Sequence, residues 1–186
     1  AYPDRSNNPI VAMVKLLDKL ASHQLDAGTE HFDPSTLAIT SVDTGNKASN
    51  VIPAVTKATI NIRFNDSHSG SSLVSWLKDE IEKVSAEYGI KFKTDFKISG
   101  ESFITPPGEL SDLISKAVKQ ELGVTPKLST TGGTSDARFI KDMCPVTEFG
   151  LVGKTMHAVD EKVETKQINQ LKEIYTRILE AYFEKT

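Results

Sequence analysis

A stretch that suits neither helix nor strand, Ser99-Gly100-Glu101-Ser102 followed by Thr105-Pro106-Pro107-Gly108, divides the chain into two parts with different grammars. Paired prolines remove backbone donors and fix φ, so regular structure does not run through them. Before this break, apolar spacing predicts helix, strand, strand, helix, strand. Ile10, Val11, Val14, Leu17, Leu20 and Ala21 recur at helical intervals over Asn8 to Leu25, with Pro9 suited to the first turn. Strands are predicted over Thr36 to Val42 and Val55 to Phe64. In the second, Ala58, Ile60, Ile62 and Phe64 alternate with Thr59, Asn61 and Arg63. Leu73, Val74, Trp76, Leu77, Ile81 and Val84 stripe a helix from Ser71 to Tyr88, which Gly89 ends. Ile90 to Ile98 alternates again. Two helices on one face of a small antiparallel sheet bury all these stripes at once.

After the break the order is helix (Glu109 to Leu122, stopped by Gly123), short strand (Lys127 to Ser129), Gly/Thr loop (Thr130 to Ser135) and a short helical stretch to Ile140. A buried strand over Pro145 to Phe149, a loop over Gly150 to Asp160 and an amphipathic helix from Glu164 to Phe183 complete it. This reads as the end of an α/β layer with parallel strands. Two strands cannot make a sheet covered on both faces, so the second part reads as incomplete by itself. Its apolar stripes, including Leu113, Ala117, Ile174 and Ile178, are expected to face solvent or a substitute partner. The fold class is therefore α/β and α+β, with a small antiparallel-sheet domain over residues 1–100 and an α/β segment over 101–186. No internal repeat is visible.

Composition narrows the function classes. The 186 residues suffice for one ordinary domain or two small ones, and the formal net charge is -3. Nucleic acid and anionic membranes reward a concentrated positive patch, so neither is expected as a partner. No apolar run is long enough to span a bilayer, and nothing at the N-terminus reads as a signal peptide. One cysteine, Cys144, excludes an intrachain disulfide and suits a reducing compartment. Its setting, Met143-Cys144-Pro145-Val146-Thr147-Glu148-Phe149, reads as a buried structural thiol on a strand. The chain starts at Ala1 without Met, as truncation, tagging or processing would each leave it.

Three clusters are candidates for chemistry. Ser129-Thr130-Thr131-Gly132-Gly133-Thr134-Ser135-Asp136-Ala137-Arg138 lies between a predicted strand and a helix. Paired glycines let backbone approach a ligand, and a helix start offers free N–H groups to an anion. An ordinary tight turn with capping hydroxyls has the same spacing, and no lysine follows the glycines as a phosphate loop requires. The second cluster runs from Glu148 to Glu161 and contains Met156-His157-Ala158-Val159-Asp160-Glu161. A histidine in a loop after a buried strand is placed to ligate a metal; a surface or capping histidine is the competing reading. Asp160 and Glu161 could support that ligand, but serve equally well as N-terminal charges for the last helix. In the third, Lys47 to Pro53, Asn50 could donate its amide to a substrate oxygen or simply make a turn. Arg63 could fork onto a carboxylate or remain a solvated strand charge.

Taken together, these motifs occur in one order. They are Ala-Tyr-Pro-x5-Asn-Pro-Ile, Ser-Asn-Val-Ile-Pro, Ile-Asn-Ile-Arg-Phe, Ser-Gly-x-x-Phe-x-Thr-Pro, Thr-Gly-Gly-Thr-Ser-Asp-x-Arg-Phe-Ile and Glu-Phe-Gly-x5-Met-His-x-Val-Asp-Glu. The chain resembles, over its whole length, the succinyl-diaminopimelate desuccinylases of the dinuclear-zinc amidohydrolases, a group that includes acetylornithine deacetylase and carboxypeptidase-type enzymes. The resemblance implies cleavage of N-succinyl-LL-2,6-diaminopimelate to succinate and LL-diaminopimelate, in the bacterial cytoplasmic route to lysine. It implies a zinc-binding α/β domain interrupted by a ferredoxin-like lid that makes a homodimer, and two zinc ions in the complete enzyme, with cobalt as an alternative metal. Carried over by motif, His157 is a zinc ligand. Gly133, Thr134 and Arg138 bind substrate, Arg63 grips a carboxylate, and Tyr2, Asn50 and Ser99 are lid contacts near a small-molecule substrate, some reaching the partner subunit's site. The remaining zinc ligands, the glutamate general base and the first lid strand lie upstream in that family, so no catalytic residue is expected in this chain and the chain alone is expected to be inactive. Gly153 stands where some members carry an Asn. Another deacylase of the same superfamily and a non-catalytic dimerisation module are the alternatives.

Overall fold

Asn8 opens the first helix by accepting the Ile10 N–H with its side-chain oxygen, and Pro9 occupies the first turn, where its missing donor costs nothing. The computed structural model describes residues 6–131 and 135–184. Its elements are α1 (Pro9–Ser22), β1 (Thr36–Asp43), β2 (Lys57–Arg63), α2 (Gly70–Tyr88), α3 (Glu109–Leu122), α4 (Ala137–Ile140) and α5 (Thr165–Phe183). They fall into two compact units, Ala1–Phe103 and Ile104–Thr186.

In the first unit, β1 and β2 pair antiparallel from Thr36 opposite Arg63 to Asp43 opposite Lys57, with an irregularity between Ile39 and Ser41. The expected alternation of β2 holds: Ala58, Ile60 and Ile62 are half-buried, while Lys57, Thr59, Asn61 and Arg63 are exposed. Ile60 and Ile62 pack with Leu37 against Ala12, Leu16 and Leu20 of α1 and Leu77 and Val84 of α2. The stripe on α1 differs from the expected one. Leu17 and Leu20 are buried, but so are Ala12 and Leu16, whereas Val11 and Val14 are 44% and 54% exposed. Positions 12, 16 and 20 lie four apart on one face, so α1 carries a second apolar face pointing outward. The two helices are tied by the buried Glu80 of α2, which pairs with Lys19 of α1 and Lys83. Both ammonium groups hold its carboxyl below the ordinary carboxylate range against the opposing effect of burial.

The predicted third strand does not form. Residues 90–98 have no ladder, although Ile90, Phe92 and Phe96 still pack on the same core. Side-chain period and burial were therefore legible, but a strand also needs a neighbour for its backbone, and none is present among the described residues. Gly89 turns the chain out of α2 at φ 62°, and Ser85 fastens the exit by donating to the Ile90 carbonyl at 2.6 Å.

In the second unit, α3 and α5 pack through Ile114, Ala117, Val118 and Ile174, with Leu110, Phe149 and Ile178 at the margin. Leu113, Ala117 and Ile174 are thus buried and Ile178 is half-buried, rather than bare as the sequence suggested. What remains outside is a second stripe on α5: Ile168, Tyr175, Leu179 and Tyr182, between 42% and 57% exposed. The expected strands Lys127 to Ser129 and Pro145 to Phe149 form no ladder, for the same lack of a neighbour. Cys144 is exposed, not buried: it ends the turn that follows α4, and Pro145 behind it has no N–H for a ladder. No helix among the described residues is long and apolar enough to cross a membrane.

Candidate functional site

Arg63 is the last residue of β2, on its exposed face. Among the described residues it makes no ion pair, so its five donors are open to an incoming carboxylate. Its backbone is held from just beyond the strand. The Asn65 N–H donates to Ser35 Oγ at 3.0 Å, and the buried Asn65 side chain donates to Asp26 Oδ1 at 2.7 Å and to the Asp33 carbonyl at 3.1 Å. Asp26 also accepts from the backbone N–H groups of Gly28, at 2.8 Å, and of Ser35, and sits 3.0 Å from His68 Nε2. Burial alone would raise its carboxyl. Hydrogen bonds from Ser35, Gly28 and Asn65 outweigh that and hold it well below the ordinary carboxylate range. Gly28 is required in this turn: its φ is 86°, and a Cβ there would meet the Phe32 carbonyl oxygen at 2.9 Å.

Asn50 lies in an exposed turn of the long β1–β2 connection. That loop closes one end of the hairpin, and Arg63 stands at the other. The seven residues of β2 at about 3.3 Å each put roughly 20 Å of strand between the two ends. Ser99 is also exposed, in the segment after Ile98. A groove of about 540 Å³, lined in part by Pro9, Met13, Val55, Ile90 and Phe92, touches neither Asn50, Arg63 nor Ser99.

In the second unit Arg138 sits on α4, with its guanidinium 4.6 Å from the Phe139 ring centroid. Its Nε is buried and has no acceptor among the described residues. A buried donor left unpaired costs about 1–3 kcal/mol, which a bound acceptor would recover. His157 occupies an exposed turn with φ 62°, and Asp160 in the same loop has φ 61°. Such angles are uncommon for non-glycine residues, although His and Asp adopt them more readily than most. Here Thr155 Oγ1 clamps the loop by donating to the Lys162 carbonyl at 2.8 Å and accepting its N–H at 3.0 Å. No hydrogen bond or ion pair joins Arg138 to His157 among the described residues. Tyr2, Gly133 and Thr134 lie outside the described residues.

No three His, Cys, Asp or Glu side chains come together among the described residues. A closed zinc site takes about four protein ligands and a catalytic one about three, so His157 with its described neighbours does not make one. Sequence reasoning passed over Asp26, Asn65 and His68, although Asn65-Asp66-Ser67-His68-Ser69-Gly70 is a dense polar run before a helix. Its partner lies 39 to 42 positions away, and no local pattern announces that distance.

Comparison with known proteins agrees with this architecture. Residues 1–89 match the family model described as the peptidase dimerisation domain. The chain is 63% identical over 183 residues to the succinyl-diaminopimelate desuccinylase of Ruegeria pomeroyi, and 61% identical over the same length to that of Dinoroseobacter shibae. Each match covers 98% of this chain and 48% of the relative. Among solved structures, aminopeptidase PepT from Bacillus cereus superposes with a TM-score of 0.75 at 19% identity, over 97% of this chain and 47% of that one. That likeness shows the fold alone. The chain is thus related over nearly its whole length to succinyl-diaminopimelate desuccinylases, and spans about half the length of each.

Proposed function

We propose that the complete protein hydrolyses N-succinyl-LL-2,6-diaminopimelate to succinate and LL-2,6-diaminopimelate. The observation that carries this reading is 63% identity, through 98% of the chain, to relatives bearing that name. Water adds to the amide carbon, the C–N bond breaks, and the released nitrogen takes a proton. This chain's share is binding rather than bond-making. The open Arg63 guanidinium takes a substrate carboxylate, the unpaired Arg138 Nε takes an acceptor, and Tyr2, Asn50, Ser99, Gly133 and Thr134 complete the grip. His157 would be one ligand of a zinc ion, which would polarise the amide carbonyl; the described residues bring no second and third ligand to it. Because the described residues do not assemble a metal site, no catalytic step is assigned to them.

Residues 1–100 serve as the lid and 101–186 as the end of the catalytic domain. The lid dimerises: the match to a peptidase dimerisation domain supports this, as do the exposed Val11 and Val14 of α1 and the exposed Ile39 and Val42 of β1. The roughly 20 Å of strand between the ends of the hairpin favours Asn50 and Arg63 serving different subunits' sites. The protein works in the cytoplasm. Release of succinate by the full-length protein from succinyl-diaminopimelate, against acetate from acetylornithine, tests the assignment. Preference for acetylornithine would move it to another deacylase, and inactivity on both would leave a dimerisation module.

A further inference from the structure

We propose that Glu101 is a positioning residue that holds Ser99 in its substrate-binding place; this rests on the reading of Ser99 as a substrate contact. Both flanks of the Ser99-Gly100 pair dock on a single residue, Gly70, the first of α2. On one side Ile98 covers the Gly70 Cα so closely that a Cβ there would lie 2.6 Å from Ile98 Cγ2 and 3.0 Å from its Cγ1 and Cδ1. On the other side both Glu101 carboxylate oxygens accept the Gly70 N–H, at 3.1 and 3.0 Å. That N–H belongs to the first turn of a helix, where no backbone acceptor exists and the positive end of the dipole favours a carboxylate. Ser99 and Gly100 therefore form a two-residue arch pinned at both feet, with Ser99 exposed on it.

The base of the arch is itself fixed. Ser69 caps α2 by accepting the Ser72 N–H at 3.1 Å, and Ser72 Oγ accepts the Ser69 N–H at 3.0 Å. One residue earlier, His68 is held by Asp26, as is Asn65. Residues 65–70 thus brace the end of Arg63's strand and, through Gly70, the feet of Ser99. Two candidate substrate contacts far apart in sequence share one support, and Glu101 is its link to Ser99.

The test is a double-mutant cycle in the full-length protein. Glu101→Ala should raise KM for succinyl-diaminopimelate about tenfold, the loss expected for one hydrogen-bonded contact, while kcat changes less than about twofold. Ser99→Ala should raise KM by a similar factor. The double variant should be no worse than either single one, because Glu101 acts through Ser99. Hydrogen exchange at the Gly70 amide should accelerate in Glu101→Ala but not in Ser99→Ala. Additive effects of the two substitutions, or unchanged exchange and KM in Glu101→Ala, overturn the role of Glu101. Should Glu101→Ala fail to fold, Glu101→Gln keeps one acceptor oxygen and carries the same cycle with a rise of about threefold; additivity there overturns the proposal equally. A wild-type protein inactive on succinyl-diaminopimelate overturns the desuccinylase reading instead, and with it the role of Ser99, whatever the exchange result.

Discussion

His68 Nε2 stands 3.0 Å from Asp26 Oδ2, joining the connection after α1 to the connection after β2 across 42 positions of sequence. Both side chains are mostly buried, at 22% and 11% exposed. Asp26 therefore anchors a polar knot inside a unit otherwise held by aliphatic contacts. Asp26→Ala leaves the Gly28, Ser35 and Asn65 donors without their acceptor. Each buried donor left without its acceptor costs about 1–3 kcal/mol, so the variant should show a large loss of thermal stability. A melting temperature within a degree or two of wild type would show the knot to be dispensable.

The same carboxylate sets an acid limit. Its folded-state pKa lies below the ordinary value of 3.8, so between the two values the unfolded chain binds more protons. The stability it contributes is fully present above that ordinary value and falls as pH drops through the window beneath it. Urea midpoints measured between about pH 5 and pH 2.5 should decline in wild type, and less steeply in Asp26→Asn, which has no proton to take up there. Parallel declines would place the acid sensitivity elsewhere.

Arg63→Lys in the full-length protein should raise KM for the succinylated substrate about tenfold or more, because a point charge cannot reproduce a two-pronged contact with a carboxylate. The fold should survive, since the Arg63 side chain is exposed and carries no ion pair among the described residues. Unchanged kcat/KM would return Arg63 to the class of solvated strand charges.

For the metal, this chain alone should not retain two ions per molecule through dialysis, and should release no succinate from the substrate. In the full-length protein His157→Ala should lower zinc content while leaving the melting temperature of the metal-free form nearly unchanged, because His157 is exposed in a loop. Elemental analysis decides; equal zinc in mutant and wild type would remove His157 from the ligand set.

The outward apolar residues of α1 and β1 give the oligomer test. Wild type should sediment as a dimer at micromolar concentration, and Val14→Lys with Val42→Lys should sediment as a monomer. Both positions are 54% exposed, so lysine there costs the folded monomer little. A double variant that remains dimeric would move the interface away from Val14 and Val42.

Helices were the legible part of this chain. Pro9, Gly89 and Gly123 mark their ends by local chemistry, and a helix satisfies its own backbone; the Ser69–Ser72 cap went unread, and α2 starts at Gly70 rather than Ser71. The strands over residues 90–98 and 145–149 were read from side-chain alternation and apolar runs, which report burial and not pairing. Burial was right for Ile90, Phe92 and Phe96, and pairing was not. Likewise the outward face of α1 was invisible in a stripe that counted Val11 and Val14 as core. Of the candidate site, Arg63 is exposed at the end of β2, a placement that a carboxylate grip and a solvated strand charge share. The supports were hidden because Glu101 reaches Gly70 across 31 positions and Asp26 reaches Asn65 and His68 across 39 and 42.

Cys144 gives the oligomer experiment a chemical trap. It is the chain's single thiol and stands exposed after α4. Two copies oxidised in air can join through it, and the covalent pair has the mass of the lid-to-lid dimer without using the lid at all. Sedimentation in reductant, beside a non-reducing gel of the same sample, separates association through Val14 and Val42 from a bond between sulfurs.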